Sequence, residues 1–177
     1  MSTLSVIILT KNEENNILDC LDSVKSLDEI IIIDDFSEDR TTEIVKSFDS
    51  KIKIFQHKLE RDFSSQRNFA LTKATCEWVL FIDADERVPH ELLSEINAEI
   101  IENKKDGYLI KRTDVLWEVK LKHRETGNIS LLRLARRGSG KWEEKVHETW
   151  NVKGRISELE GELLHFPHQN IREFLSE

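Results

Sequence analysis

The residue order predicts an α/β fold built on a mostly parallel central sheet, with mixed or antiparallel strands added in the C-terminal half. Three observations predict it. Short apolar, β-branched runs recur at residues 5–10, 30–33 and 78–82, each ending in polar or acidic residues. Runs of this kind mark strands covered on both faces. Between them apolar residues return at helical spacing, so that strand and helix alternate three times, as in right-handed βαβ units. After Pro89 the pattern changes to strand-like segments separated by glycines and charged turns.

The elements follow in order. Residues 5–10 form the first strand, and Ile17, Leu18, Leu21 and Val24 make the stripe of a first helix. Residues 30–33 form a second strand that stops at Asp34 and Asp35. Residues 37–42 read as a helix start, with Ile44, Val45 and Phe48 as its apolar side. Residues 51–56 alternate like a third strand, Phe69, Leu71 and Ala74 mark a short helix, and residues 78–82 are a fourth strand ending at Asp83, Ala84 and Asp85. Residues 91–103 carry Leu92, Leu93, Ile96, Ile100 and Ile101 at helical spacing. Strand signals follow at 107–111, 131–135 and 163–166, and 170–177 reads as the start of a last helix.

Composition narrows the function. The chain has 177 residues, which suits one domain spanning 1–177. Hydrophobic residues are 38% and charged residues 34%, a polar but globular mixture. A net charge of -8 speaks against a nucleic-acid partner, since such binding rests on neutralising phosphates. A phosphate-bearing small ligand remains compatible if a divalent cation supplies positive charge locally. Cys20 and Cys76 lie far apart and are expected as buried, reduced thiols. The N-terminus lacks a secretory pattern, and no apolar run approaches the ~20 residues of a membrane span, so a soluble, cytoplasmic protein is expected.

The chemistry concentrates at one edge. Asn12, Glu13 and Glu14, then Asp34 and Asp35, then Asp83, Ala84 and Asp85, follow the carboxyl ends of three predicted parallel strands. Ligands of open α/β sheets bind at that edge. A single carboxylate there is ordinarily a helix cap, but three clusters at one edge exceed that need. Carboxylates at 83 and 85 make an oxygen-rich site suited to Mg²⁺ or Mn²⁺, and small Ala84 permits the turn that brings both to one ion.

These stretches resemble family-two glycosyltransferases of the GT-A fold, whose sheet is Rossmann-like. The resemblance rests on residues 5–14, 30–41, 66–68 (Gln66, Arg67, Asn68) and 81–87; residues 145–148 and 164–168 are similar to a subgroup containing lipopolysaccharide-core glucosyltransferases. It implies a nucleotide-sugar half (1–88) and an acceptor half (89–177), and metal-dependent, inverting transfer from a uridine diphosphate sugar. The implied acceptor is a hydroxyl of a saccharide or lipid-linked saccharide, with peripheral association at the inner face of the membrane. Relatives run on past the position of Glu177, so further acceptor or membrane contacts are expected there. On this resemblance Thr10, Asn12, Glu13 and Asp34 line the nucleoside, Asp35 reads the base edge, Arg67 meets the diphosphate, Asp83 approaches ribose or metal, and Asp85 ligates the metal. Asn68 is expected to organise its loop. His165 and His168 are metal or diphosphate candidates.

Inverting transfer needs a general base at the acceptor hydroxyl. The resemblance points to Glu148, with Glu144 and Asp114 as competitors. Phe36 stands where the family usually has Gly, which asks for a turn without positive φ. Trp117, Trp142 and Trp150 read equally as core or as sugar-stacking surfaces. Two other classes share part of the pattern. A phosphoreceiver signalling domain also gathers acidic residues around Mg²⁺, and a sugar-nucleotide nucleotidyltransferase also binds metal and nucleotide. The complete strand and helix before Asp34 speak against the first, and the glycine-free segment 10–13 against the second.

Overall fold

The computed structural model describes residues 3–116, 119–121 and 129–167; Trp117, His168 and the helix start expected at 170–177 lie outside them. The expected alternation is present as β1 (Leu4–Thr10), α1 (Ile17–Val24), β2 (Glu29–Asp34), α2 (Thr41–Phe48), β3 (Lys53–Gln56), α3 (Phe63–Leu71) and β4 (Trp78–Asp83). Then come β5 (Glu86–Arg87), α4 (His90–Glu102), β6 (Gly107–Leu116), β7 (Val119–Lys120), β8 (Ile129–Arg136), β9 (Gly140–Glu143), β10 (Thr149–Val152) and β11 (Ile156–His165).

The main sheet runs β3-β2-β1-β4-β8-β6-β11-β5, with β7 beside β6. β3, β2, β1 and β4 are parallel, β8 is antiparallel to both its neighbours, and β11 returns parallel to β6. The order 3-2-1-4 of the parallel strands is that of a dinucleotide-fold half and differs from the 2-1-3-4-5 order of receiver domains. This removes the signalling alternative. Both faces of the sheet are covered, which is why its central strands are apolar without alternation. On one face Val6, Ile8, Ile32, Leu80 and Ile82 pack under α1, α2 and α4. On the other, Ile7, Leu9, Ile31, Ile33 and Phe81 pack under α3 and the β9–β10 hairpin.

That hairpin settles two tryptophans. Trp142 and Trp150 stack on each other with ring centroids 5.3 Å apart, and each meets Phe81 edge-on at 5.1 Å. They are 6% and 4% exposed. They are core, and the sugar-stacking reading is withdrawn for both. α3 begins well before Phe69 because Asp62 caps it, accepting from the Ser65 amide at 2.8 Å; Ala74 is buried beyond its end. α4 closes at Asn103, which takes φ 58, and Ile101 on it is 70% exposed, outside the buried stripe. Cys20 and Cys76 are buried free thiols.

β11 carries a bulge. Glu158 pairs with Leu109 and Glu162 with Lys111, so four steps along β11 answer two along β6. Glu95 of α4 clamps the extra residues, its carboxylate accepting from the amides of Glu160 (2.8 Å) and Gly161 (2.9 Å). Gly161 sits close under α4: a Cβ there would lie 3.1 Å from the Leu92 Cα, so a side chain would need the helix to give slightly. Beyond the bulge the register sets His165 directly opposite Asp114.

Candidate active site

Register brings the predicted edge together. Thr10 pairs with Asp34 across β1–β2, and Leu9 pairs with Asp83 across β1–β4. The loops after β1, β2 and β4 therefore open at one line. Thr10 is buried there, and its hydroxyl has no protein partner.

The loops after β1 and β2 are stitched to each other. Asn12, at φ 55, donates its amide to Ser37 Oγ at 2.9 Å, and its Oδ1 accepts from the Glu38 amide at 2.8 Å. The Glu13 amide donates to Thr41 Oγ1 at 2.7 Å. Burial pushes the Glu13 carboxyl pKa up. Asp34, fully buried, accepts from the Ser37 amide with both oxygens at 3.3 and 3.1 Å. That bond closes a tight turn, and Phe36 inside it adopts φ 53. The turn thus keeps positive φ although Phe replaces the family's glycine, contrary to the sequence expectation. A bulky residue in that region costs about 1–2 kcal/mol. Asp35 accepts from Lys11 Nζ at 2.8 Å and from the Leu59 amide at 3.0 Å. Burial opposes its ionisation, but Lys11 and the amide hold its carboxyl below the usual range.

Asp83 and Asp85 diverge. The turn at Ala84 does not aim both at one point. Asp83 Oδ1 meets Arg67 at 3.2 Å and Oδ2 meets Arg133 at 3.0 Å. Burial alone would raise the Asp83 pKa, yet Arg133 and Arg67 keep it well below the usual carboxylate range. Arg133 also pairs with fully buried Glu86 at 3.3 Å, and burial raises the Glu86 pKa. Arg67 is not presented to the open crevice as expected for a diphosphate contact. It is 4% exposed, lies over Trp142 at 4.7 Å, and reaches Glu148 Oε1 with Nε at 2.9 Å. One guanidinium therefore joins the β4 acid to Glu148. Asn68 fastens α3 to β9 with paired bonds to the Trp142 backbone at 2.8 and 3.0 Å. Glu144 is exposed, at φ 67, between β9 and β10.

Asp85 faces the other way. Its Oδ2 lies 3.1 Å from His165 Nε2, and His165 Nδ1 lies 2.7 Å from Asp114 Oδ1. Burial works against a protonated ring, but Asp85 and Asp114 outweigh it and raise the His165 pKa. Asp85 Oδ1 is buried with no hydrogen-bond partner, which is costly unless something binds there. An unpaired carboxylate oxygen beside an imidazole suits Mg²⁺ or Mn²⁺. Among the described residues no group of three or more His, Cys, Asp or Glu side chains forms a closed cage. Asp85 and His165 would thus hold such an ion with ligand and water oxygens completing it, and Asp83 is committed to its arginines.

Sequence reading misses Arg133 and Glu86. A signal existed: Arg133 is a lone charge inside the apolar run 131–135, and a charge so placed needs a buried partner.

Comparison with known proteins follows from this geometry. The model described as Glycosyl transferase family 2 matches residues 5–156. The lipopolysaccharide core biosynthesis glycosyltransferase LpsC of Rhizobium meliloti (strain 1021) is 34% identical over 174 residues, covering 92% of this chain and 63% of its own length. The poly(ribitol-phosphate) beta-N-acetylglucosaminyltransferase TarS of Staphylococcus aureus (strain MW2) is 35% identical over 124 residues, 65% of this chain and 22% of that protein. Among solved structures, S. aureus TarS 1-349 in complex with UDP-GlcNAc superposes with a TM-score of 0.72 at 24% identity, covering 95% of this chain and 59% of that one. Glucosyl-3-phosphoglycerate synthase from Mycobacterium tuberculosis, with Mn²⁺, UDP and phosphoglyceric acid, gives 0.65 at 16% identity over 98% and 73% of the two chains. These structural likenesses establish the GT-A fold. The chain spans less than two thirds of the length of the curated relatives just described.

Proposed function

The chain belongs to glycosyl transferase family 2, and on that premise we propose that it moves a sugar from a uridine diphosphate sugar to a hydroxyl of a saccharide or lipid-linked saccharide, inverting the anomeric centre. One observation carries the reading: Arg67 joins Asp83, at the donor edge, to Glu148 from the second half of the chain. The β4 carboxylate two residues from Asp85 and the residue for the acceptor proton thus share one buried cation. The family assignment removes the nucleotidyltransferase alternative.

The roles follow from placement. Asp35 takes the base N–H; its partner Lys11, with a side chain 57% exposed, is the group the base displaces. The Thr10 hydroxyl, buried and unpartnered, lies at the same edge to meet the nucleoside. Asp85 and His165 hold the divalent cation, which supplies positive charge against the diphosphate when bound. The structures of similar fold that contain Mn²⁺ with UDP or GDP-Man support this part. Glu148 accepts the acceptor's proton; Arg67 keeps its carboxylate oriented. The likeness to LpsC supports cell-envelope saccharides as acceptors; in this reading they are met from the cytoplasm at the inner face of the membrane. In this reading 1–177 is one catalytic domain, 1–88 for the donor and 89–177 for the acceptor. No helix among the described residues is long and apolar enough to cross a membrane.

A thermal-shift panel of nucleoside diphosphate sugars, with and without Mn²⁺, tests the proposal. A uridine diphosphate sugar should stabilise the protein only with the metal, and Asp85→Ala should abolish that shift while leaving the unliganded melting curve intact. An equal shift in excess chelator would sink it.

A further inference from the structure

We infer that Asp114 is a positioning residue: it fixes the His165 ring with the proton on Nδ1, so that the Nε2 lone pair faces Asp85. The inference rests on the reading of Asp85 and His165 as the cation site, and extends it to the carboxylate at the other nitrogen of the ring.

Two carboxylates compete for the ring of His165, one at each nitrogen. A neutral imidazole has a single N–H, so only one of them receives it. The contact to Asp114 is 2.7 Å and that to Asp85 is 3.1 Å. The Asp114 side chain is 7% exposed, that of Asp85 25%. The shorter bond, to the more deeply buried carboxylate, keeps the proton. Nε2 is then an acceptor aimed at the group whose other oxygen, Asp85 Oδ1, has no partner. Histidine that ligates a metal through one nitrogen is commonly oriented by a carboxylate on the other, and losing that carboxylate costs 10–100-fold in metal affinity.

Backbone architecture makes the arrangement specific. Asp114 and His165 are register partners in the parallel pair β6–β11, and His165 is also paired with Glu86 of β5. The backbone of His165 is thus fixed between two strands, and Asp114 is its register partner on a strand rather than on a loop.

The test uses nitrogen NMR of the imidazole in the metal-free protein at alkaline pH, where the ring is neutral, together with calorimetry of Mn²⁺ and UDP. In the wild type Nδ1 should carry the proton. Asp114→Asn, which can still accept from Nδ1–H, should keep that tautomer and stay within about threefold of wild-type affinity. Asp114→Ala should mix the tautomers and weaken Mn²⁺-dependent binding by about 10–100-fold; Asp114→Leu, similar in volume, serves if the alanine variant fails to fold. A wild-type ring protonated on Nε2 would overturn the inference, as would Ala or Leu variants with unchanged tautomer and affinity. If wild-type binding needs no metal, the cation reading fails separately, and the ring measurement still decides the role of Asp114.

Discussion

The two acidic clusters at the mouth of the sheet are held by different parts of the chain. At the end of β2, Asp34 is held by the Ser37 amide three residues on, and Asp35 by Lys11 and the Leu59 amide, each 24 residues away. At the end of β4, Asp83 is held by Arg133 at a separation of 50 residues, Asp85 meets His165 at a separation of 80, and Arg67, 16 residues from its partner Asp83, reaches Glu148 at a separation of 81. The β2 side is complete once the first strands have paired. The β4 side exists only when the second half of the chain has folded onto the first. Long-range pairing of that kind forms late and at an entropic cost, and here it assembles the groups assigned to chemistry and leaves the nucleoside wall to local contacts.

Breaking the β4 side should have the larger consequences. Glu148→Gln keeps the size and the contact to Arg67 but loses the proton acceptor. Turnover should fall about 10²–10⁴-fold with donor affinity nearly unchanged, as read from kcat beside a nucleotide titration. Equal loss of both would make Glu148 a donor-site residue. Arg133→Met should leave Asp83 with one cation and Glu86 with none. Removing one partner of a buried ion pair costs about 3–5 kcal/mol, which urea unfolding should show. A loss below about 1 kcal/mol would mean that the network is wetter than its burial implies.

The β2 side should respond less, and locally. Glu29, at the opposite end of β2, is buried, yet Lys53, Ser5 and Thr75 lower its pKa to about 2. An unfolded glutamate titrates near 4.3, so this carboxylate stabilises the fold above that pH. The contribution is lost as pH falls from about 4.3 to about 2, roughly 3 kcal/mol in all. The difference in urea midpoint between wild type and Glu29→Gln should shrink across that window; a flat difference would refute the assignment. Asp35→Ala should weaken nucleotide binding about tenfold or more, for one charge-assisted bond of roughly 1.5–3 kcal/mol. Calorimetry that finds less than a threefold change would place base recognition elsewhere.

The same contrast governs what the residue order reveals. β1, β2 and β4 are legible because strands covered on both faces read as unbroken apolar runs, and their acidic ends are legible with them. The C-terminal half gives only fragments: residues 131–135 mark the middle of β8 and 163–166 only the end of β11, while β5, with two residues, has no pattern to show. Phe36 misleads, because the Asp34–Ser37 bonds impose a backbone that side-chain identity alone argues against. Arg67 is visible as a candidate but not as a buried link, since its partners lie on β4 and on the turn before β10.

The bulge in β11 has an evolutionary reading. Because its surplus is two residues, an even number, sliding the strand to erase it would leave every side chain on its present face. The hydrophobic pattern cannot tell the two registers apart: Leu163 would simply take the place of His165 opposite Asp114. Alternation of faces therefore fixes parity, not position. What discriminates is local: Glu95 gripping two amides, the close approach of Gly161 to Leu92, and the Lys111–Glu162 pair. Mutational drift at Glu95 should then surface first as lost activity in a protein that still melts cooperatively, a lineage quietly turning from catalyst into scaffold.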